Sequence, residues 1–359
     1  MGVMFARRVG LFVQTALLRT CVHLRRRILD KKYQVVGIGN ALVDVLAPCD
    51  DAFLTDNGVE KGIMHLIDTG RAAELYDLMG PAQEVSGGSA ANTIAGIAVL
   101  GDRTAYVGKV KADKLGDVFE RDMRAQGADF KVPRSPTGSA DGTGRCIVLV
   151  TPDSERSMNT YLGVSEHLGP DDIDPVMMAD AEWLYLEGYR FDGDLSHAAF
   201  AKAIASCKDA GGKVSVTLSD PFCVERHHQA FSDMIRDHVD LLFCNEHEMA
   251  AMYPAATLEK SIAEAASHLE IVACTLGAKG AYVVHGGETV LAPTEARSVV
   301  DVTGAGDLFA AGFLHGLVNG HDMMTCGRMG CVAAGEIISH IGARPEADLG
   351  ALFAEKGLQ

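Results

Sequence analysis

The sequence has no Cys-x-x-Cys pair, no His-Glu-x-x-His, no Gly-x-x-x-x-Gly-Lys-[Ser/Thr] loop and no apolar run long enough to cross a bilayer. Each absence removes a class. The nine cysteines are an odd number, scattered through mostly apolar runs. They read as reduced core thiols, as in a cytoplasmic protein, and not as a disulfide framework. The thirteen histidines show no regular pairing with cysteine, so His227, His228 and His247 read as surface or helix residues rather than zinc ligands. The missing lysine loop argues against a P-loop nucleotidase. Gly37-Ile38-Gly39 opens like a dinucleotide fingerprint but lacks the third glycine, so a Rossmann oxidoreductase has little support. There are no internal repeats and no low-complexity stretches.

Positive charge is scarce in the body of the chain. The formal net charge is -16, yet residues 1–32 hold eight Arg and Lys against one acid. The remainder therefore carries 24 bases against 47 acids, or -23. Such a body repels nucleic acid and anionic membranes, so an anionic substrate needs a local exception. The partner expected is a small molecule.

Residues 1–30 are basic. Gly10 to Leu18 is apolar but short, with Gln14 inside it and Arg19 after it; a spanning helix needs about 20 apolar residues. A signal peptide would need a small-x-small cleavage site, which is missing. A basic amphipathic surface helix and a dispensable extension both fit. The extension is the expectation, with the folded domain beginning at Lys31 and a C-terminal tail from 346 to 359.

From Tyr33 onward, short apolar strands alternate with helical stretches. Tyr33–Gly39, Thr104–Gly108, Trp183–Leu186, Lys213–Leu218, Leu241–Cys244 and Ile271–Leu276 read as buried parallel strands. Intervening runs such as Ser89–Leu100, Lys114–Gln126, His197–Asp209 and Phe222–Arg236 read as crossover helices. The class is α/β: a central, mostly parallel sheet covered by helices on both faces. A second strand-rich piece interrupts the alternation. Leu42–Pro48, Ile63–Ile67, Arg145–Thr151 and Arg156–Thr160 would form a small separate sheet, drawn from about 42–68 and 137–162. Active sites in such folds lie beyond the C-terminal strand ends. Those loops are Gly39–Asp44, Asn245–Glu248, Thr275–Gly280 and the turn before Asp307.

That last turn carries most of the chemistry. Asp301-Val302-Thr303-Gly304-Ala305-Gly306-Asp307 joins two glycines, an acid at either end and a helix start. Glycines let backbone approach a ligand, and a helix start offers unpaired N–H groups to a phosphate. An ionised Asp there can take the proton from an attacking hydroxyl. An ordinary capped turn would use the same residue types. Gly312 and Gly316 in the following helix suggest close helix packing. Gly87-Gly88 also precedes a helix, with Asn92 one turn on as a hydrogen-bonding arm. Asn245 and Glu248, three apart, share one helix face and can hold Mg²⁺ through water, or simply cap the helix.

Together these motifs resemble the ribokinase-like (PfkB) family of sugar and nucleoside kinases. The resemblance runs from Tyr33 to about Pro345, with Val302 where Thr is commoner. It implies a ribokinase-like fold with a small β-sheet lid, and phosphoryl transfer from ATP with Mg²⁺. Asp307 is then the catalytic base, and Gly304, Ala305 and Gly306 the anion hole. Asp44, Gly88 and Asn92 bind sugar hydroxyls, and Thr275, Gly277 and Gly280 belong to the ATP site. Asn245 and Glu248 support Mg²⁺ indirectly. Asp301, Thr303 and the Gly342–Arg344 backbone would frame a monovalent cation such as K⁺. Ser157–Gly163 and Gly188–Asp192 resemble the bacterial adenosine-kinase branch, with Tyr161 placed to stack on a purine. Arg156 contacts substrate or caps its hairpin. Adenosine 5′-phosphorylation is the favoured reading; ribose, fructose and 2-keto-3-deoxygluconate kinases, and a non-catalytic binding protein, stay open. Monomer and homodimer both stay open, since an exposed lid edge can pair or stay free.

Overall fold

Continuous apolar runs build the central layer. In the computed structural model, which describes residues 31–359 except Ser154 and Asp194, fourteen strands form two sheets. The expectations for residues 1–30 lie outside the described residues. The first seven strands are β1 (Tyr33–Ile38), β2 (Leu42–Pro48), β3 (Met64–Leu66), β4 (Gln83–Gly87), β5 (Thr104–Val107), β6 (Asp129–Phe130) and β7 (Gly144–Val150). The rest are β8 (Arg156–Tyr161), β9 (Ala181–Glu187), β10 (Lys213–Thr217), β11 (Leu241–Asn245), β12 (Ile271–Thr275), β13 (Ala281–His285) and β14 (Glu288–Ala292).

The nine-stranded sheet has the order β14-β13-β12-β11-β10-β9-β1-β5-β6, and β13 alone runs against the others. Strand alternation sends Val36, Leu184, Val216 and Leu242 into one apolar core, and Val35, Trp183, Phe243 and Ala273 into the other. Full burial of each such aliphatic side chain contributes ~1.5–3 kcal/mol relative to exposure. The α/β expectation holds. The chain leaves β1 on one side for β5 and returns on the other as β9, so a crevice opens past the end of β1.

The five-stranded sheet has the order β3-β8-β7-β2-β4. Its outer face carries Ala47, Ile147 and Leu149, packed with Leu54, Val59 and Leu75 from the excursion between β2 and β4. Two helices of that excursion, Asp51–Asp56 and Thr69–Leu78, escaped the sequence reading. So did β4, which completes the lid, and β14. The expected C-terminal tail contains a helix, Leu349–Glu355, whose Leu349 and Phe353 are buried in the core.

The helices Ser89–Val99 and Ala305–Val318 pack closely because Gly96 is small; a Cβ there would lie 2.8 Å from the Ala311 Cβ. Gly312 does the same against Met329, as its place in the sequence suggested. Among the described residues, no helix is long and apolar enough to cross a membrane.

Candidate active site

A cavity of about 1390 Å³ lies between the lid and the C-terminal strand ends. That volume exceeds the ~300–1,000 Å³ of a one-ligand pocket and leaves room for two substrates. The helices Ser89–Val99 and Ala305–Val318 both start at its wall, and both are capped by glycine. Elsewhere Asp50, Asp68, Asp113, Asp220 and Asp322 cap helices through their side chains. Gly88 (φ +94°) and Gly304 (φ +80°) place no side chain over the helix ends. At Gly88 a Cβ would meet the Asn40 carbonyl oxygen at 2.3 Å.

Asp307 is therefore the third residue of its helix, not the cap. The Ala305 N–H turns back to the Val302 carbonyl at 3.2 Å, and the Leu308 N–H donates to Gly304. The N–H groups of Gly306 and Asp307 remain for an anion. Of the expected anion hole, Gly304 supplies the turn, Gly306 an open N–H, and Ala305 lines the wall without a free donor.

Ser89 Oγ donates to Asp307 Oδ1 at 2.6 Å, and Asn92 Nδ2 donates to Asp307 Oδ2 at 2.9 Å. Burial raises the Asp307 carboxyl above its ordinary range; the Ser89 and Asn92 hydrogen bonds and the Arg344 charge pull it back. Asn92 thus holds Asp307, while its Oδ1 is buried without a hydrogen-bond partner. Asp44 lines the cavity from β2; burial pushes its carboxyl up to about 6 against the pull of Arg344 and Arg156. Arg344 donates to the Ala91 carbonyl and to Ser86 Oγ, both at 2.9 Å, and burial brings it down to about 10.

Glu187, at the end of β9, is a second buried carboxylate. It accepts from Asn40 N and Nδ2 and from Ala90 N, and burial pushes it up to about 7. Sequence reasoning passed over Glu187 and Ser89. The strand-end rule could have found the first, and the glycine-pair motif contains the second. Phe222, 71% exposed, also lines the cavity, and nothing in the sequence marks it.

Asn245 and Glu248 form a reciprocal cap. Asn245 Oδ1 accepts from the N–H groups of His247 and Glu248, while Glu248 accepts from Asn245 N at 3.0 Å and Nδ2 at 2.6 Å. Burial pushes Glu248 up to about 7. Thr275 and Gly277 line the cavity. Gly280 does not: its φ of +99° closes the turn into β13, and a Cβ there would strike the Ala292 carbonyl oxygen at 2.1 Å. Tyr161 is also misplaced by the sequence reading. Thr160 and Met158 of β8 line the cavity, so alternation turns Tyr161 to the other face, where its hydroxyl donates to Asp141 at 3.0 Å. Asp301 and Thr303 are both contacted by Arg156: Nη2 lies 2.9 Å from Asp301 Oδ2, and Nη1 lies 3.4 Å from Thr303 Oγ1.

Residues 65–348 match the pfkB family of carbohydrate kinases. The chain belongs to this family. A probable sugar kinase from Rhizobium etli CFN 42 is 42% identical, with a TM-score of 0.85 over 92% of this chain and 100% of that one. An adenosine kinase from Sinorhizobium meliloti is 43% identical, with a TM-score of 0.84 over 90% and 99%. An uncharacterized sugar kinase from Archaeoglobus fulgidus is 29% identical over 261 residues, 69% of this chain and 96% of that one. As a PfkB kinase the chain acts with ATP on a small nucleoside or sugar.

In this PfkB site Gly87 makes room for Asp44. A Cβ at Gly87 would lie 2.3 Å from the Asp44 carboxyl carbon. Gly87→Ala therefore displaces the carboxylate. On the reading of Asp44 as an acceptor ligand, the acceptor KM is expected to rise ~10–150-fold, the loss of one hydrogen bond to a charged group at ~1.5–3 kcal/mol. Steady-state kinetics check it; an unchanged KM would show that Asp44 does not touch the acceptor.

Proposed function

We propose that this chain transfers the γ-phosphoryl group of ATP to the 5′-hydroxyl of adenosine, giving AMP and ADP. The observation that carries the acceptor is the lid face turned to the cavity. Leu42, Leu46, Val85, Val148, Met158 and Leu162 line it. Phe222 adds an exposed aromatic ring to the same cavity. A purine offers flat apolar faces to such walls. Ribose, fructose or 2-keto-3-deoxygluconate could meet Asp44 in the same way but have no flat apolar ring to set against those walls. The likeness to the S. meliloti adenosine kinase supports the same choice.

In this reading Asp307 accepts the 5′-hydroxyl proton as that oxygen attacks phosphorus, and Ser89 and Asn92 fix its orientation. The N–H groups of Gly306 and Asp307 hold the negative charge on the transferring group. Asp44 takes a ribose hydroxyl, while Thr275 and Gly277 face the nucleotide. The carboxylates of Asp220 and Glu248 both line the cavity, and neither has an ion-pair partner among the described residues. That donor set fits a hydrated Mg²⁺ held through water. Magnesium bound with ATP would neutralise phosphate charge there.

The raised carboxyls set a pH dependence. Asp44 at about 6 and Glu248 at about 7 must ionise, so kcat/KM is expected to rise with pH through this interval and level off above it. Stability moves the other way. A carboxyl raised by folding stabilises the fold when protonated, so the contribution of Asp44, Glu187 and Glu248 is present below the ordinary carboxylate pKa and lost as pH rises through about 6–7. A kcat/KM profile flat across this interval would contradict the assignment.

The acceptor is tested by measuring ATP consumption with adenosine, guanosine, inosine, ribose, fructose and 2-keto-3-deoxygluconate. Adenosine is expected to exceed each sugar in kcat/KM by ~100-fold, the scale of the ~3 kcal/mol gained by burying an apolar ring that the sugars lack. A sugar preferred over adenosine would make the chain a sugar kinase. Nucleoside binding with no ATP consumption would make it a binding protein.

A further inference from the structure

The resemblance assigns a monovalent cation to Asp301, Thr303 and the Gly342–Arg344 backbone. The residues present do not fit one. Such an ion needs a ring of oxygens with free lone pairs to replace its hydration shell. Asp301 Oδ2 accepts from the Gly342 N–H at 3.1 Å and meets Arg156 Nη2 at 2.9 Å. Asp301 Oδ1 accepts from the Thr303 N–H at 3.1 Å. Thr303 Oγ1 is reached by Arg156 Nη1 at 3.4 Å. One guanidinium therefore engages both side chains that the cation would use. The Arg156 and Asp301 side chains are only 7% and 4% exposed, so solvent screens little between them. A cation added beside this guanidinium would meet like charge in a partly dry pocket. At the neighbouring position Val302, 68% exposed, offers no hydroxyl.

We propose that Arg156 supplies, within the same chain, the positive charge at the 301–304 turn that relatives take from a monovalent cation, and that this chain is stable and active without one. Arg156 is the first residue of β8, so the charge is carried by the lid. The lid and the turn that shapes the anion hole are tied together through this contact. Arg156 acts here as a positioning residue: it sets the turn, and the turn sets Gly306 and Asp307. The turnover part of the proposal rests on the kinase reading, while the stability part does not.

The test compares KCl with tetramethylammonium chloride at equal ionic strength on the full chain. The wild-type unfolding midpoint is expected to be the same in both salts, because a ligand that binds only the folded state would raise it. The kcat is expected to differ by no more than about twofold, the scale left by ordinary ionic effects. In Arg156→Ala the buried Asp301 loses its partner, and KCl is then expected to raise both the midpoint and kcat. A saturable rise of the wild-type midpoint with KCl, or a wild-type thallium-205 resonance shifted by the protein and displaced by potassium, would overturn the proposal. So would an Arg156→Ala protein that folds and is indifferent to potassium. The wild-type comparison decides by itself if that variant does not fold. The midpoint and thallium readings hold even if no acceptor is phosphorylated, so failure of the kinase reading stays separate.

Discussion

Asp307→Asn is expected to lower kcat by ~10²–10⁴-fold, the usual contribution of a positioned general base. The substitution keeps the shape of the side chain and removes its ability to accept a proton. The Gly306 and Asp307 N–H groups proposed to hold the transferring phosphoryl are backbone and survive. Nucleotide and acceptor KM should therefore change little, which separates lost chemistry from lost binding. Stability should not fall with activity. The wild-type carboxyl is raised by burial, so its ionised form is held at a cost that the amide does not bear. Circular-dichroism melting and steady-state kinetics on the same preparation check both halves. Near wild-type kcat in Asp307→Asn would mean that another group takes the proton.

Arg190→Ala is expected to produce the largest loss of stability, on the order of 3–5 kcal/mol, as when one partner is removed from a buried charged network. Arg190 is only 1% exposed. Its Nη1 donates to Asn40 Oδ1 at 3.0 Å and to the Ser165 carbonyl at 2.6 Å, and its Nη2 donates to the Leu168 carbonyl at 3.0 Å. Burial lowers its pKa, and the nearby Glu187 charge raises it in return. Truncation leaves two carbonyls and the Asn40 amide oxygen short of donors, and Glu187 short of a positive neighbour. Asn40 and Glu187 together fix the loop from which β2 carries Asp44 into the cavity. The same variant should therefore lose acceptor affinity at temperatures where it remains folded. Chemical denaturation gives the first quantity, and acceptor KM at low temperature the second. A loss below about 1 kcal/mol, the scale of an ordinary surface change, would show the network to be dispensable.

The alternation of buried strands and crossover helices was legible because each parallel strand is apolar on both faces, as in Val35 and Val36 or Leu241 and Leu242. The β4 and β14 strands were not legible. Gln83–Gly87 and Glu288–Ala292 sit at sheet edges, where polar residues are tolerated and the apolar signal fades. The small helices covering the lid have few buried residues, Leu54 in one and Ala72 and Leu75 in the other, too few for a period to show.

The candidate site divides in the same way. Residues within one turn were readable together, as with Gly304, Gly306 and Asp307. Contacts across the chain were not: Ser89 meets Asp307 across 218 positions, and Arg156 meets Thr303 across 147. Tyr161 was misassigned because residue type says nothing about which face of a strand meets the cavity; a shift of one position in β8 reverses every side chain. Asn245 and Glu248 read as neighbours one turn apart; Asn245 is the N-cap and Glu248 the third helical residue, and they cap each other.

The proposed reaction is phosphoryl transfer from ATP to the adenosine 5′-hydroxyl, with Asp307 as the base. Phosphorus-31 NMR of the full chain with ATP, Mg²⁺ and adenosine tests it most directly. AMP and ADP are expected to appear in equal amounts, with the AMP phosphorus coupled to the 5′ protons, and neither product with Asp307→Asn on the same timescale. ADP appearing with free phosphate and no AMP, or no change in the spectrum, would contradict it.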